Sequence, residues 1–477
     1  MKKHDITSIL KELEIKNIYF DSRKVTPGSA FFCIQYAQHY ITDAIKNGAA
    51  LIVCNTSIDN AYDTKIVVVE DVRTSLAQAA AFLYPNKPKY MVAVTGTSGK
   101  TSVVDYYRQI AGYLGYKSAS IGTLGIHCSD PSIMISQQDN SLTTQDVVTM
   151  HNTLSFLESK GVTHIAFEAS SHGIDQKRIG EIFVNAAAFT SFSQDHLEYH
   201  NSMEEYKFTK LKLFPQNLKS QGRAVVTTTL MKDEEIAKTF SGKSIFSAKD
   251  IELVTIGKNG AINIISCTPS ITGQTIVFSY SGNEYQIVTP IVGSFQASNL
   301  LIAASMLEAC DVKFDDIVSV LHKITAVAGR LERVTGVNHP WHVFVDYSHK
   351  PGALESSLNE MRLLCKNKLH VLFGCGGDRD PSKRKPMGEV ASNIADIVIV
   401  TDDNPRTENP ASIRQEALKG CPGAIEIGDR VEAIKYAISQ LKDGDILIVA
   451  GRGDETHQII GTQKIPLDDR EEVRQWI

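Results

Sequence analysis

No stretch of this 477-residue chain approaches the roughly 20 consecutive apolar residues that a membrane-spanning helix requires, so bilayer insertion is not expected. Cysteine is sparse. The 8 cysteines are scattered, without a CxxC or CxxxC pair. That argues against a disulfide or metal framework, and thiols in a reducing cytoplasm are expected. Basic excess is missing too: net charge is -5 and the pI is about 6.3, so no global positive field draws nucleic acid. The opening segment "MKKHDITSILKELEIKNIYF" interleaves charge with apolar residues and does not read as a signal peptide. No short repeat or low-complexity segment is present.

What is there is a long chain, 43% hydrophobic, with repeated strand–loop–helix patterning. At about 100–200 residues per domain it suggests three domains, each able to bury its own core. The expected architecture is α/β throughout. A small N-terminal domain covers 1–88, where "ALIVC" and "KIVVVED" read as strands and "TSLAQAAAFLY" as a helix. A Pro- and Lys-bearing linker, "YPNKPKY", leads into a central parallel-sheet domain over 89–327. A Rossmann-like domain over 328–477 follows, with strands "HVFVDYS", "HVLFGCGG", "DIVIVTDDNP" and "DILIVAGRG". Residues 250 to 292 are rich in β and turn residues and read as an antiparallel insertion in the central domain.

The chemistry starts at "MVAVTGTSGKTSVV" (91–104). Gly96 and Gly99 let backbone N–H groups face an anion, and the helix that follows adds its positive end. Lys100 can reach terminal phosphates and the Thr101 hydroxyl can ligate Mg²⁺. Val94 stands where the strict G-x4-G-K-[ST] pattern has its first Gly, so the plainer alternative is a Gly-rich turn with a surface lysine.

Other motifs sit at later strand ends. In "FEASSHGIDQKR" (167–178), Glu168 stands beside Ser170, Ser171 and His172; it could equally be a helix-capping acid, with His172 on the surface. In "SFSQDHLEYHNSMEEYKFTKLKLF" (191–214), Asp195-His196 forms a turn. Glu168 and this turn, near a phosphate loop, make a plausible Mg²⁺ site. Lys207, Lys210 and Lys212 read as a solvated helix face. In the C-terminal part, "FGCGGDRDPSKRKPMG" offers Arg379, Lys383 and Arg384, "TDDNPRTENP" offers an Asn and an Arg, and "AGRGDETHQ" offers Glu455. Three such turns at successive strand ends imply one crevice, with Arg406, Arg379 and Glu455 suited to a ligand carrying both carboxylate and ammonium groups.

Taken in this order, from "DSRKVTPGSAFF" to "GRGDE", the motifs resemble those of the ATP-dependent Mur ligases of peptidoglycan synthesis, over essentially the whole chain. The MurE-type branch, which extends UDP-N-acetylmuramoyl-L-alanyl-D-glutamate by a third residue, matches best. Its diaminopimelate-adding members carry D-N-P-R, here Asp403-Asn404-Pro405-Arg406. The resemblance implies a UDP-binding first domain, an ATP-binding second and an amino-acid-binding third. It places Ser22 and Arg23 in the uridine pocket, and Gly96, Thr97, Ser98, Gly99, Lys100, Thr101 and Ser102 on ATP. Thr143, Thr144, Ser171 and Arg178 fall on the muramoyl peptide, with Thr101, Glu168, His196 and Lys210 around Mg²⁺. It implies that Lys210 is carbamylated by CO₂, and that Lys100, Lys210 and His196 serve catalysis. Asn299, Arg330, Asp346, Tyr347 and His349 correspond to nucleotide contacts. Arg379, Asp403, Asn404, Pro405, Arg406, Gly451 and Glu455 correspond to the diaminopimelate pocket. It further implies a cytoplasmic monomer whose partners are the two small substrates, with no nucleic acid.

Departures from the family pattern fall at Ser191, Gln296, Asp454 and Gln145, and in a short segment after "CIQ" in the uridine region. Three rival readings remain at this point. A folylpolyglutamate synthetase would share the phosphate loop but not D-N-P-R or the D-S-R domain. A switch or motor NTPase would need no carboxylate substrate. A non-catalytic binder would have no evident need for Lys100, Glu168, His196 and Lys210 together.

Overall fold

The structure is a computed structural model that describes residues 5–35, 37–57, 64–134, 142–241 and 250–477. The uridine-region segment that begins at Tyr36 therefore starts outside the described residues.

The N-terminal domain is a parallel sheet in chain order, β1 (Ile18–Tyr19), β2 (Ala30–Phe32), β3 (Leu51–Cys54) and β4 (Lys65–Val68). Its apolar strands are covered on both faces, as parallel strands are. Ile6, Leu10 and Leu76 pack on one side, Ile41 and Ala44 on the other. The expected helix runs Val72–Leu83, started by Asp71, whose side chain accepts from the Thr74 N–H.

Central strands are β5 (Tyr90–Thr95), β6 (Ser118–Gly122), β7 (Gly125–Cys128), β8 (His164–Glu168), β9 (Val184–Phe189), β10 (Leu218–Thr227), β11 (Glu252–Gly257), β12 (Ile262–Ser270), β13 (Gly273–Tyr280) and β14 (Asn283–Thr289). They form one sheet in the order β14-β13-β12-β11-β10-β9-β5-β8-β6-β7. From β11 to β6 the strands run parallel. The segment 250–292 is thus not a separate insertion. β11 pairs with β10, and the antiparallel strands β12 to β14 continue the same sheet outward. The helices Lys100–Tyr113 and Ser294–Glu308 bury Val103, Ile110, Leu300 and Met306 against one face. Val147–Ser159 covers the other with Met150 and Leu154.

C-terminal strands are β15 (Glu332–Arg333), β16 (His342–Asp346), β17 (Leu369–Phe373), β18 (Ile397–Val400), β19 (Ile425–Glu426) and β20 (Ile446–Ala450), ordered β15-β16-β20-β17-β18-β19. All pair in parallel except β15 at the edge. A hairpin, β21 (His457–Ile460) and β22 (Gln463–Pro466), follows. Among the described residues no helix is long and apolar enough to cross a membrane.

Strand order decides where the motifs meet. β9, β5, β8 and β6 are neighbours, so their carboxyl ends bring Ser191, Gly96, Glu168 and Thr123 to one edge. β16, β20, β17 and β18 do the same for the third domain's loops. This is the edge at which open α/β sheets bind ligands.

Candidate active site

The phosphate loop leaves β5 at Thr95. Gly96 (φ 149°) and Gly99 (φ 87°) occupy backbone regions that side chains rarely adopt. Space enforces them as well. A Cβ on Gly96 would lie 2.0 Å from Thr190 Oγ1, and one on Gly99 2.7 Å from Asn299 Oδ1. Gly99 caps the helix Lys100–Tyr113, whose free N–H groups make an anion site. Ser191, one of the departures, braces this loop. Its Oγ accepts from Ser98 N at 2.9 Å and donates to Ser98 O at 3.0 Å. Gln296 accepts from the buried Asn299 Nδ2 at 2.9 Å. Thr97 is buried and bonded to Ser193, and Ser102 is buried in the first helical turn.

Two lysines converge on one oxygen. Lys100 Nζ donates to Gly96 O at 2.9 Å and to Thr97 O at 3.2 Å; Lys210 Nζ donates to the same Gly96 O at 3.0 Å. Lys210 is only 1% exposed. Among the described residues no carboxylate pairs with either ammonium. Burial pushes Lys100 down to about 8, and burial with the repulsion of Lys100 and Lys350 holds Lys210 well below the usual lysine range. Lys210 thus sits where its charged form is disfavoured. The solvated-face expectation fails for Lys207 also, which is buried and paired with Asp233 and Glu235; only Lys212 is exposed.

On the other side of β5, the buried Glu168 accepts from Thr101 Oγ1 at 3.0 Å and from Thr123 N at 2.8 Å. These are hard oxygen donors of the kind Mg²⁺ takes. Among the described residues, however, no group of three or more His, Cys, Asp or Glu side chains could hold a metal. The donor set fits an ion shared with substrate phosphates and water, not a resident protein cage. His196, expected beside Glu168, instead has Nε2 3.0 Å from Asp195 Oδ2 and Nδ1 3.2 Å from Glu198 Oε1. Its ring stands edge-on to His172, centroids 4.9 Å apart. His172 is pushed down to about 4 by burial and its histidine neighbours.

The Thr143–Thr144 pair adjoins Glu168. Thr144 Oγ1 donates to Glu168 O at 2.9 Å, Thr143 Oγ1 accepts from Thr123 at 3.3 Å, and Arg178 Nη1 donates to Thr144 O at 2.9 Å. Among the described residues the buried Ser171 Oγ has no hydrogen-bond partner, which leaves a polar group available to a ligand. Ser22 is buried at the start of a short turn, while the Arg23 side chain is exposed and paired with Asp21.

In the third domain, Asn404 Nδ2 donates to Glu455 Oε2 at 2.7 Å and Asn404 Oδ1 accepts from Ile459 N at 2.8 Å. Asn404 therefore orients the pocket loops, and its oxygen is already engaged. Asp403 is buried where a Cβ on Gly451 would lie 2.7 Å from its Oδ2. Pro405 is buried behind Gly377, and Arg379 is exposed at the rim. Arg384 does not belong to the crevice: it is buried between Glu408 and Glu416. Asp346 is likewise turned inward, accepting from Leu331 N, Ser348 and Ser357. Arg330 lies 4.1 Å over the Tyr347 ring and pairs with Asp454 at 2.9 Å, so the Asp454 departure ties the interdomain linker to the loop after β20. His349 bonds to the Tyr347 carbonyl.

Thr123, Gly122 and Lys350 belong to the site but carry no motif of their own. Only the strand order, which sets β6 beside β8, and the domain contact reveal them.

With this geometry in hand, two family models match: the Mur ligase middle domain over residues 94–307 and the Mur ligase glutamate ligase domain over 329–453. A UDP-N-acetylmuramoyl-L-alanyl-D-glutamate–2,6-diaminopimelate ligase of Rickettsia bellii (strain RML369-C) is 43% identical, across 98% of this chain and 97% of its own. A solved structure of a ligase with that same name superposes with a TM-score of 0.68 at 30% identity, covering 97% of this chain and 94% of that one. A Mycobacterium tuberculosis folylpolyglutamate synthase complexed with ADP shares the fold, with a TM-score of 0.64 at 17% identity over 79% of this chain and 91% of its own.

Proposed function

The chain belongs to the Mur ligase family, and from that premise we propose that it joins meso-diaminopimelate to UDP-N-acetylmuramoyl-L-alanyl-D-glutamate at the expense of ATP; its Rickettsia relative is named as a ligase of 2,6-diaminopimelate and that same dipeptide. The observation that carries the reading is the pair of lysines on the Gly96 carbonyl, one of them buried without a counter-charge. A buried cation without a partner is costly, and a polyphosphate beside it removes that cost.

A carboxylate is a poor electrophile and must be activated before an amine can displace anything from it. In this reading the γ-phosphoryl group of ATP passes to the D-glutamate side-chain carboxylate, giving an acyl phosphate and ADP. An amine of the diamino acid attacks the acyl carbon, phosphate leaves with the C–O bonding pair, and the amine proton goes to solvent or a nearby base. Lys100 and the loop N–H groups offset the charge on the transferring oxygens. Mg²⁺, held by Thr101 and Glu168, would supply further charge neutralisation there. Lys210 as a carbamate would carry a carboxylate in place of its amine, and surroundings that disfavour the ammonium suit that modification. The Arg406 guanidinium and the Glu455 carboxylate would take the far carboxylate and the ammonium of the diamino acid.

The test is phosphate release from ATP and Mg²⁺ with UDP-MurNAc-L-Ala-D-Glu, adding meso-diaminopimelate or L-lysine separately. Release with diaminopimelate alone, with a tripeptide product, is expected. Release with lysine instead would keep the ligase and refute the Arg406 assignment. Release that ignores the muramoyl peptide would replace the ligase by a stand-alone NTPase.

A further inference from the structure

Lys350 precedes the helix Pro351–Leu364 of the C-terminal domain, yet its ammonium reaches the central domain and lies 2.5 Å from Asp195 Oδ2. The same oxygen lies 3.0 Å from His196 Nε2. The bridge is sheltered, with Lys350 and Asp195 side chains 13% and 16% exposed. Burial alone would raise the Asp195 carboxyl, but Lys350 and His196 hold it below the usual carboxylate range. Asp195 follows closely on Ser193, whose carbonyl accepts from Thr97 Oγ1 at 3.2 Å, so the bridge lies close to the phosphate loop. His196 itself has φ 53°, a backbone state that persists only when its surroundings hold it. One edge of its ring is fixed by Asp195, and Asp195 in turn by a residue of another domain.

We propose that Lys350 is a positioning residue of the reaction centre: docking of the C-terminal domain brings its ammonium to Asp195, which seats the His196 ring beside the phosphate loop. The centre is then incomplete while the domains are apart, so phosphoryl transfer waits for the domain that carries the amine substrate. The kinetic arm of the test rests on the ligase reading; the spectroscopic arm does not.

The test compares full-length Lys350→Met, Lys350→Arg, Asp195→Asn and the Met/Asn double variant. Partners that orient a group at a metal or phosphate centre typically cost about 10–100-fold when removed. Lys350→Met should lower kcat by about that factor with a smaller change in the KM for ATP, and Lys350→Arg should restore most of it. The double variant should be no slower than the slower single one, because both break one chain of contacts. In histidine-selective ¹⁵N spectra of the substrate-free protein, assigned by His196→Gln, the His196 ring signals should shift alike in Lys350→Met and Asp195→Asn. Wild-type kcat in Lys350→Met, multiplicative losses in the double variant, or unmoved His196 signals would each overturn the proposal. If Lys350→Met does not fold, Asp195→Asn and Lys350→Arg carry the same comparison. If the wild type shows no dipeptide-dependent phosphate release, the ligase reading falls, and the His196 signals alone decide the role of Lys350.

Discussion

Arg406 shows how a side chain is held ready for a ligand. Its φ is 51°, and its backbone is fastened to the β21–β22 hairpin through Arg406 N to Ile459 O at 3.0 Å and Gly461 N to Arg406 O at 2.7 Å. One guanidinium nitrogen donates to Gly377 O at 2.8 Å. Among the described residues no carboxylate forms an ion pair with it. Losing a charge-assisted contact of this kind costs roughly 2–4 kcal/mol, or about one and a half to three decades. Arg406→Ala should therefore raise the KM for diaminopimelate by about that factor and leave the KM for ATP nearly unchanged, as steady-state kinetics would show. Glu455 gives a pH prediction. Burial and the neighbouring Asp403 push its carboxyl up to about 7, so below neutrality it is protonated and cannot pair with an ammonium. The KM for the diamino acid should fall as pH rises from about 6 to 8, and Glu455→Gln should flatten that dependence. Stability has the opposite sign. Between the ordinary value of 4.5 and about 7 the folded state binds more protons than the unfolded one, so stability falls as pH rises. Melting of the substrate-free wild type relative to Glu455→Gln across that window measures it.

The strands and the loops between them differ in how far they could be read from sequence. "MVAVTG", "HIAFEASS" and "DILIVAGRG" announce buried parallel strands because each holds a run of apolar residues without polar alternation, as strands covered on both faces do. The motifs at their ends were equally legible, since glycine and charge stand out after such runs. Lateral order was not: nothing local says that β6 lies beside β8, so Thr123 and Gly122 stayed hidden. The burial of Lys207 and Lys210 was also hidden, because a helix face is covered only by what folds onto it. Gly122 turns this into a prediction. A Cβ there would lie 2.2 Å from Glu168 Oε1, so Gly122→Ala must displace that carboxylate from Thr101 and Thr123. Misplacement by about 1 Å can cost about 10²-fold, and that loss in kcat is expected, with a raised Mg²⁺ requirement and an unchanged circular dichroism spectrum.

Taken across all three domains, the contacts between them are both apolar and polar: Val147 joins the N-terminal core and Val292 the C-terminal one. Lys177 reaches Asp71, Arg333 donates to Ile271 O at 3.0 Å, Ser294 meets Glu360, and Lys350 meets Asp195. Most of the apolar core still falls within single domains, so each should unfold with some independence. The chain reports on this by itself. Its 2 tryptophans, Trp341 and Trp476, both lie in the C-terminal domain. Denaturant unfolding followed by tryptophan fluorescence should trace that domain alone, and its midpoint should differ from that of far-ultraviolet circular dichroism. Coincident curves would mean that the domains unfold as one unit.

The outer edge of the central sheet has a practical consequence. Strands β13 and β14 are joined by Ser281-Gly282, both at positive φ, and a Cβ on Gly282 would meet nothing within 4 Å. In the sheet order β14 stands six strand spacings from β5, or about 29 Å at roughly 4.8 Å each. A short epitope or a dye-bearing peptide grafted into that turn would anchor or illuminate the protein from a side remote from its phosphate loop, leaving all three domains free to move.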